Sequence, residues 1–357
     1  MTSEPSTESL QQIAFPGRPH TLGELGTFDI DETPGSRRIE YRARFVTTEV
    51  AAALQAEIAA SVAGTELADA DVRIAQTIEP TAVQRGLAPL PGVANLIAVA
   101  SGKGGVGKST TAVNLALALH SLGARTGLLD ADIYGPSQPR MLGLTNAHPE
   151  STDGKTLLPL EAHGLQTMSA GFLVDEAQPM VWRGPMVTQA LNQILTQTAW
   201  RELDYLIVDM PPGTGDIQLT LSQRVPVAGA VIVTTPQDIA LIDARKGLAM
   251  FRKVGIDVLG VVENMSTHIC TSCGHEEAIF GAGGAERLAA EENIAVLGRL
   301  PLDANIQRST DSGRPTVIAE PDGPAAAHYR EIAMRVSLAL ARTRLEHAHK
   351  FPKIVVE

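Results

Sequence analysis

Cysteine is nearly absent from these 357 residues; Cys270 and Cys273 are the only two. Two neighbouring cysteines make no disulfide framework, so the chain reads as reduced and cytoplasmic. Long apolar runs are missing as well. No stretch approaches the roughly 18 residues of a membrane span, which argues against a membrane partner. Residues 1–19 carry no basic patch followed by an apolar segment, and a secretory signal is not expected there. Positive charge is in deficit, with 29 Lys and Arg against 40 Asp and Glu and a net charge of −11. That balance argues against nucleic acid, or anionic lipid, recognised through bulk charge. What is present suffices for a folded protein. The apolar fraction of 44% allows an ordinary core, and the length allows two domains.

The first 20 residues are polar and hold Pro5, Pro16 and Pro19, so they read as a disordered lead-in. Residues 21–86 predict a small α/β domain. Its strands are expected over 38–47 and 70–78, with a helix over 50–62 that places Leu54 and Ile58 on one face. Residues 87–93, with two prolines and a glycine, read as a linker. From residue 94 to 346 short apolar runs alternate with amphipathic stretches. Strands are expected at 96–100, 126–130, 205–209, 230–234, 258–262 and 295–297, with helices at 109–121, 186–198 and 239–254. Uniformly apolar strands alternating with helices predict an α/β fold on a mostly parallel sheet covered on both faces. Residues 311–324 look like a loop, 325–346 a last helix and 347–357 an extended tail. No internal repeat is visible.

The most specific motif is Gly102-Lys103-Gly104-Gly105-Val106-Gly107-Lys108-Ser109-Thr110, a glycine followed by four residues and Gly-Lys-Ser. It follows an apolar strand and opens a helix, as a phosphate-binding loop requires. Glycines let the backbone N–H groups turn toward phosphate oxygens, and the helix adds its N-terminal dipole. Lys108 is expected to reach the β- and γ-phosphates of ATP, and Ser109 to bind Mg²⁺. Lys103 is surplus to the ordinary pattern. With it, the loop resembles the deviant Walker A of ATPases related to MinD, ParA and the nitrogenase iron protein. That resemblance implies a P-loop NTPase working as a homodimer, in which Lys103 reaches across to the partner's nucleotide as an arginine finger does.

Carboxylates follow two of the apolar strands: Asp130 and Asp132 in one case, Asp209 in the other. Such strand ends are where ligands bind in parallel sheets. The resemblance implies that Asp132 orients the attacking water, that Asp209 stands beside the Mg²⁺ ion's ligands, and that Asn264 contacts adenine.

Cys270-Thr271-Ser272-Cys273 offers two thiolates where a structural zinc or a [4Fe–4S] cluster takes four ligands. His268 and His275 could complete a zinc site, a second chain could supply two more thiolates, or the pair could be redox-active or inert. Further segments narrow the resemblance: Asp132-Ile-Tyr-Gly-Pro-Ser137, Trp182-Arg-Gly-Pro-Met186, Asp209-Met-Pro-Pro-Gly-Thr-Gly-Asp216, Thr235-Pro-Gln-Asp238 and Glu263-Asn-Met-Ser266. With the Cys-x-x-Cys pair they resemble the Mrp/ApbC branch, over residues 94–320. The resemblance implies an ATPase that carries a [4Fe–4S] cluster on Cys270 and Cys273 of two subunits and passes it to apo iron–sulfur proteins. The small first domain resembles one that many Mrp proteins carry. It lacks the usual cysteine, since 45–50 reads Phe-Val-Thr-Thr-Glu-Val, so a docking role is expected of it rather than cluster handling. The rival readings are a ParA/MinD-type positioning ATPase and a zinc-stabilised regulatory NTPase. The first would want a basic surface or an amphipathic C-terminal membrane helix.

Overall fold

The computed structural model describes residues 7–31, 33, 36–84, 87–151, 153–173, 184–270 and 272–350. The chain divides into two compact units, one of residues 1–81 with 337–357, the other Ala82–Val336.

In the smaller unit β1 (Gly26–Asp31) runs antiparallel to β2 (Arg38–Ala43), which pairs in parallel with β3 (Asp71–Gln76). A helix, Ala51–Ser61, connects β2 to β3 and buries Leu54 and Ile58, the expected pair. β1 escaped the sequence reading because its Asp29 and Asp31 belong to a type depleted in strands. As an edge strand it buries little more than Gly26 and turns alternate residues to solvent. Residues 7–20 of the expected lead-in are folded. A helix spans Thr7–Gln11, Ala14 bridges Thr21, and Leu10, Ile13 and Phe15 are buried. Phe15 meets Phe45 edge-on, with ring centroids 5.5 Å apart. Three isolated apolar anchors thus hold a segment whose overall composition looked too polar to fold. The last helix runs Pro324–Lys350 rather than 325–346, and from Ser337 onward it belongs to the smaller unit. There Leu338, Leu340 and Ala341 are buried, and the Val46 N–H donates to Ser337 Oγ at 3.0 Å. Residues 351–357 of the expected tail lie outside the described residues.

The larger unit is built on an eight-stranded sheet. Its strands are β4 (Val93–Ala100), β5 (Thr126–Asp130), β6 (Leu160–Ala162), β7 (Leu165–Ser169), β8 (Leu203–Asp209), β9 (Gly229–Thr234), β10 (Val258–Glu263) and β13 (Val296–Arg299). Their order is β13-β10-β9-β4-β8-β5-β7-β6, and every neighbouring pair is parallel except β6 with β7. The six expected strands are all present. β6 and β7 form a short hairpin at the edge, too brief to show a period. The central strands β5, β8 and β9 are buried along their whole length, which accounts for their unbroken apolar sequences. The supposed linker is packed at one end, with Leu90 and Val93 buried. The supposed loop 311–324 contains a helical turn, Thr316–Ala319, that buries Thr316 and Val317. Trp182 and Arg183 lie outside the described residues.

Register decides what the sheet can do. Asp130 pairs with Asp209 across β5 and β8, and Val99 of β4 also stands beside Asp209. The phosphate loop and both carboxylates therefore leave the same edge of the sheet, at the carboxyl ends of its strands.

Candidate functional site

The loop after β4 is shaped by its glycines. Gly105 and Gly107 both take φ of +81°, the left-handed region that side chains avoid. A Cβ on Gly107 would stand 2.1 Å from Asn264 Nδ2, and one on Gly102 would stand 2.1 Å from the Asp243 backbone. Ser101 Oγ donates to the Lys103 carbonyl at 2.9 Å and draws the loop closed. Gly107 then caps the 14-residue helix Lys108–Ser121, with no side chain covering its first amides. Uncovered amides at the positive end of a helix dipole suit an anion, so the cradle fits a nucleotide's phosphates.

Lys108, only 6% exposed, extends into the sheet edge. Its Nζ pairs with Asp209 Oδ1 and donates to Ser109 Oγ at 3.2 Å. Asp209 Oδ2 accepts from Gln138 Nε2 at 2.8 Å. Asp130 is fully buried and collects donors. Its Oδ1 accepts the Asp132 N–H at 3.1 Å, and its Oδ2 accepts the N–H groups of Ser137 and Gln138 and the Ser169 hydroxyl. Burial, and then the charge of Asp209, push the Asp130 carboxyl well above the ordinary carboxylate range, against the pull of those amides and of Lys108. Asp132 is half-buried and also raised by burial, with Lys108 pulling the other way.

Lys108, Ser109, Asp130, Asp132 and Asp209 are thus gathered at one corner, as the sequence led one to expect. Lys103 stands apart from it, exposed on the loop. Asn264 packs under the loop, where its Nδ2 donates to the Val106 carbonyl at 2.9 Å. Gln138 and Ser169 complete the corner without having been anticipated. Nothing in the sequence singles out a glutamine in a non-periodic segment, and its importance comes from a contact with Asp209, 71 residues away.

The cysteines occupy the tip of a separate hairpin in the same unit. β11 (His268–Ile269) pairs antiparallel with β12 (Glu276–Glu277). Cys270 N–H donates to the His275 carbonyl at 2.9 Å, and Gly274 N–H to the Cys270 carbonyl at 2.8 Å. Gly274, at φ +72°, closes the turn. Cys270 is half-buried, and Cys273 is exposed. The N–H of Ser272, then that of Cys273 and its thiol, hold the Cys270 thiol below its ordinary value, with His268 adding to the effect. A thiol pulled that way is readier to act as a thiolate ligand. His268 Nδ1 is tied to the Leu302 carbonyl at 3.0 Å. Among the described residues no three His, Cys, Asp or Glu side chains converge as a metal site. Beside the hairpin lies a cavity of about 840 Å³ lined by His268, Ile269, Glu276, Leu302 and His328, among others.

Known proteins resemble this chain over most of its length. A protein of Pseudomonas fragi named an iron–sulfur cluster carrier protein is 60% identical over 269 residues, covering 75% of this chain and 94% of its own. The mouse iron–sulfur cluster transfer protein NUBPL is 53% identical over 250 residues, covering 70% of this chain and 78% of its own. Among solved structures, a nucleotide-binding protein of Archaeoglobus fulgidus, described in complex with ADP and with cobalt, superposes with a TM-score of 0.58 at 36% identity. It covers 66% of this chain and 91% of its own. The cell-division ATPase MinD of Pyrococcus furiosus, at 22% identity and a TM-score of 0.51, covers 68% of this chain and 98% of its own, a likeness of fold alone. The ParA family model described as NUBPL iron-transfer P-loop NTPase matches residues 92–337. That span is well over half of the chain and includes both the phosphate loop and the cysteine hairpin, and the chain belongs to this family of iron-transfer P-loop NTPases.

Proposed function

We propose that this chain is an ATP-hydrolysing iron–sulfur cluster carrier that works as a homodimer in the cytoplasm. It holds a [4Fe–4S] cluster between two subunits and hands it to apo iron–sulfur proteins. The observation that carries this reading is the hairpin tip. Cys270 is half-buried, Cys273 is exposed, and one thiol hydrogen-bonds the other, yet they are two ligands where the cluster takes four. A second copy placing its own pair opposite supplies the remainder. Accessible thiolates also suit a cargo that must leave, because a recipient's thiolates can approach and replace them.

At the other site the amides of 102–110 and Lys108 bind the phosphates, and Asn264 stands on the adenine side. Ser109, with Asp209 behind it, holds Mg²⁺, which neutralises phosphate charge when bound. Asp132 orients the attacking water, and Lys103 supplies its charge to the partner's nucleotide when two chains meet. The smaller unit, lacking a cysteine, docks cluster-assembly factors.

Anaerobic reconstitution followed by iron, sulfide and zinc analysis tests the carrier role. About four irons and four sulfides per two chains are expected, and none in Cys270→Ala or Cys273→Ala, both of which should still bind ATP. His268→Ala and His275→Ala should keep their iron. Stoichiometric zinc without sulfide, lost on either histidine change, would overturn the carrier reading.

A further inference from the structure

One buried side chain at the nucleotide corner has no part in the roles just assigned. Gln138 exposes no surface. Its Nε2 donates to the Ser109 carbonyl at 3.0 Å and to Asp209 Oδ2 at 2.8 Å. Both amide hydrogens are therefore spent on tying a strand-end carboxylate to the start of the phosphate-loop helix. Its Oε1 is buried with no hydrogen-bond partner among the described residues, and the Oγ of neighbouring Ser137 is in the same condition. Buried polar atoms are seldom left unmet, because desolvation is then uncompensated; where protein offers no partner, water or an ion does.

The surroundings say which partner fits. Lys108 is engaged by Asp209 and Ser109, and the Asp130 oxygens are occupied by backbone amides and a hydroxyl. An oxygen acceptor left over beside Ser109 and two carboxylates calls for a donor that arrives with the ligand. Mg²⁺ sheds its waters reluctantly and keeps several when it binds beside phosphates. Such a water is a strong donor.

We propose that Gln138 is a positioning residue of the nucleotide site, with one function at each end of its amide. Nε2 clamps Asp209 against the phosphate-loop helix. Oε1 accepts a hydrogen bond from a water in the hydration shell of the divalent cation that accompanies the nucleotide. This rests on the reading of the loop as a Mg²⁺–ATP site. It makes cation affinity depend on a residue that touches neither the phosphates nor the base.

The test is a Mg²⁺ titration of the full chain with a fluorescent ATP analogue, starting in EDTA. Gln138→Met keeps length and bulk but removes donor and acceptor. It should raise the Mg²⁺ midpoint about tenfold, the effect of one lost hydrogen bond, while analogue affinity in EDTA stays within about twofold of wild type. Gln138→Glu keeps an acceptor oxygen and exchanges the donor to Asp209 for a second negative charge that attracts the cation, so it should titrate at or below the wild-type midpoint. A wild-type midpoint in folded Gln138→Met overturns the proposal. So does an equal loss of affinity with and without Mg²⁺, which would make Gln138 merely structural. If Gln138→Met does not fold, Gln138→Glu decides, and a tenfold higher midpoint there overturns it. A wild-type chain that binds no analogue sinks the nucleotide-site reading along with this one. A normal wild-type titration with an unmoved variant sinks this one alone.

Discussion

The phosphate-loop corner and the cysteine hairpin belong to the same unit and are built on opposite lines. At the corner, Asp130 and Asp209 are fully buried on adjacent strands, and Lys108 is 6% exposed. Each is held by more than one bond, and Lys108 and Asp209 join across 101 positions of the chain. At the hairpin the strands are two residues long, Cys273 is exposed, and Ile269 beside Cys270 is 55% exposed. The contrast follows from what each site is proposed to do. Charges that stabilise a transition state work best when fixed in advance and shielded from water. Ligands that must release a cargo need the reverse, accessible atoms on a small, lightly packed element. On the proposed reading the corner is nearly complete in one chain, whereas the hairpin is half a site.

The largest effect tests how complete the corner is. Lys103 lies outside it, exposed on the loop, and on the proposed reading it serves the partner's nucleotide. Lys103→Ala should keep nucleotide affinity but lose about 10³–10⁵ in phosphate-release rate, about 4–7 kcal/mol of barrier. Turnover at the wild-type rate would mean that one chain hydrolyses without help, and the corner would be more self-contained than the comparison allows.

A smaller effect compares the packing of the two regions. An alanine at Gly102 drives its Cβ into the Asp243 backbone at 2.1 Å, so the helix Asp238–Lys253 must move. Overpacking of this kind costs about 1–3 kcal/mol, to be read as a lower urea midpoint. An alanine at Gly274 meets nothing within 4 Å and bears only the strain of φ +72°, about 1–2 kcal/mol. Gly102→Ala should also weaken nucleotide binding, and Gly274→Ala should not. Equal losses of nucleotide binding would contradict the separation of the two sites.

The smallest effect is electrostatic. Because burial raises the Asp130 carboxyl, the folded chain holds that proton to higher pH than the unfolded chain does. Asp130's contribution to stability is therefore full below the ordinary carboxylate range and declines as pH rises through its elevated folded value. Asp130→Asn cannot titrate, and its thermal midpoint should lose that part of the decline. An unchanged pH slope would show that the buried charge is not its source.

Legibility differed between the regions for physical reasons. The phosphate loop could be read because its amides and its lysine come from nine consecutive residues and need only a strand before them and a helix after. Asp130 and Asp209 could be read because each ends an apolar run. The hairpin's strands could not, since two residues show no period. β1 was hidden by acidic residues that an edge strand tolerates at its solvent-facing positions. Residues 7–20 were hidden because Leu10, Ile13 and Phe15 are single anchors in polar surroundings, and Phe15 finds its ring partner, Phe45, outside the segment.

By itself the sequence determined the alternation of strand and helix, the glycine-rich cradle with its lysines, and the supply of thiols, limited to two. These are local properties, set by side-chain size, backbone freedom and the order of residues along the chain. Only the tertiary structure decided that Asp130 and Asp209 stand opposite each other, that Gln138 spans from Ser109 to Asp209, and that the last helix from Ser337 belongs to the smaller unit. Each of those depends on strand register or on contacts between residues far apart in the chain. Register and burial are settled only when the whole sheet closes, and no local pattern encodes them.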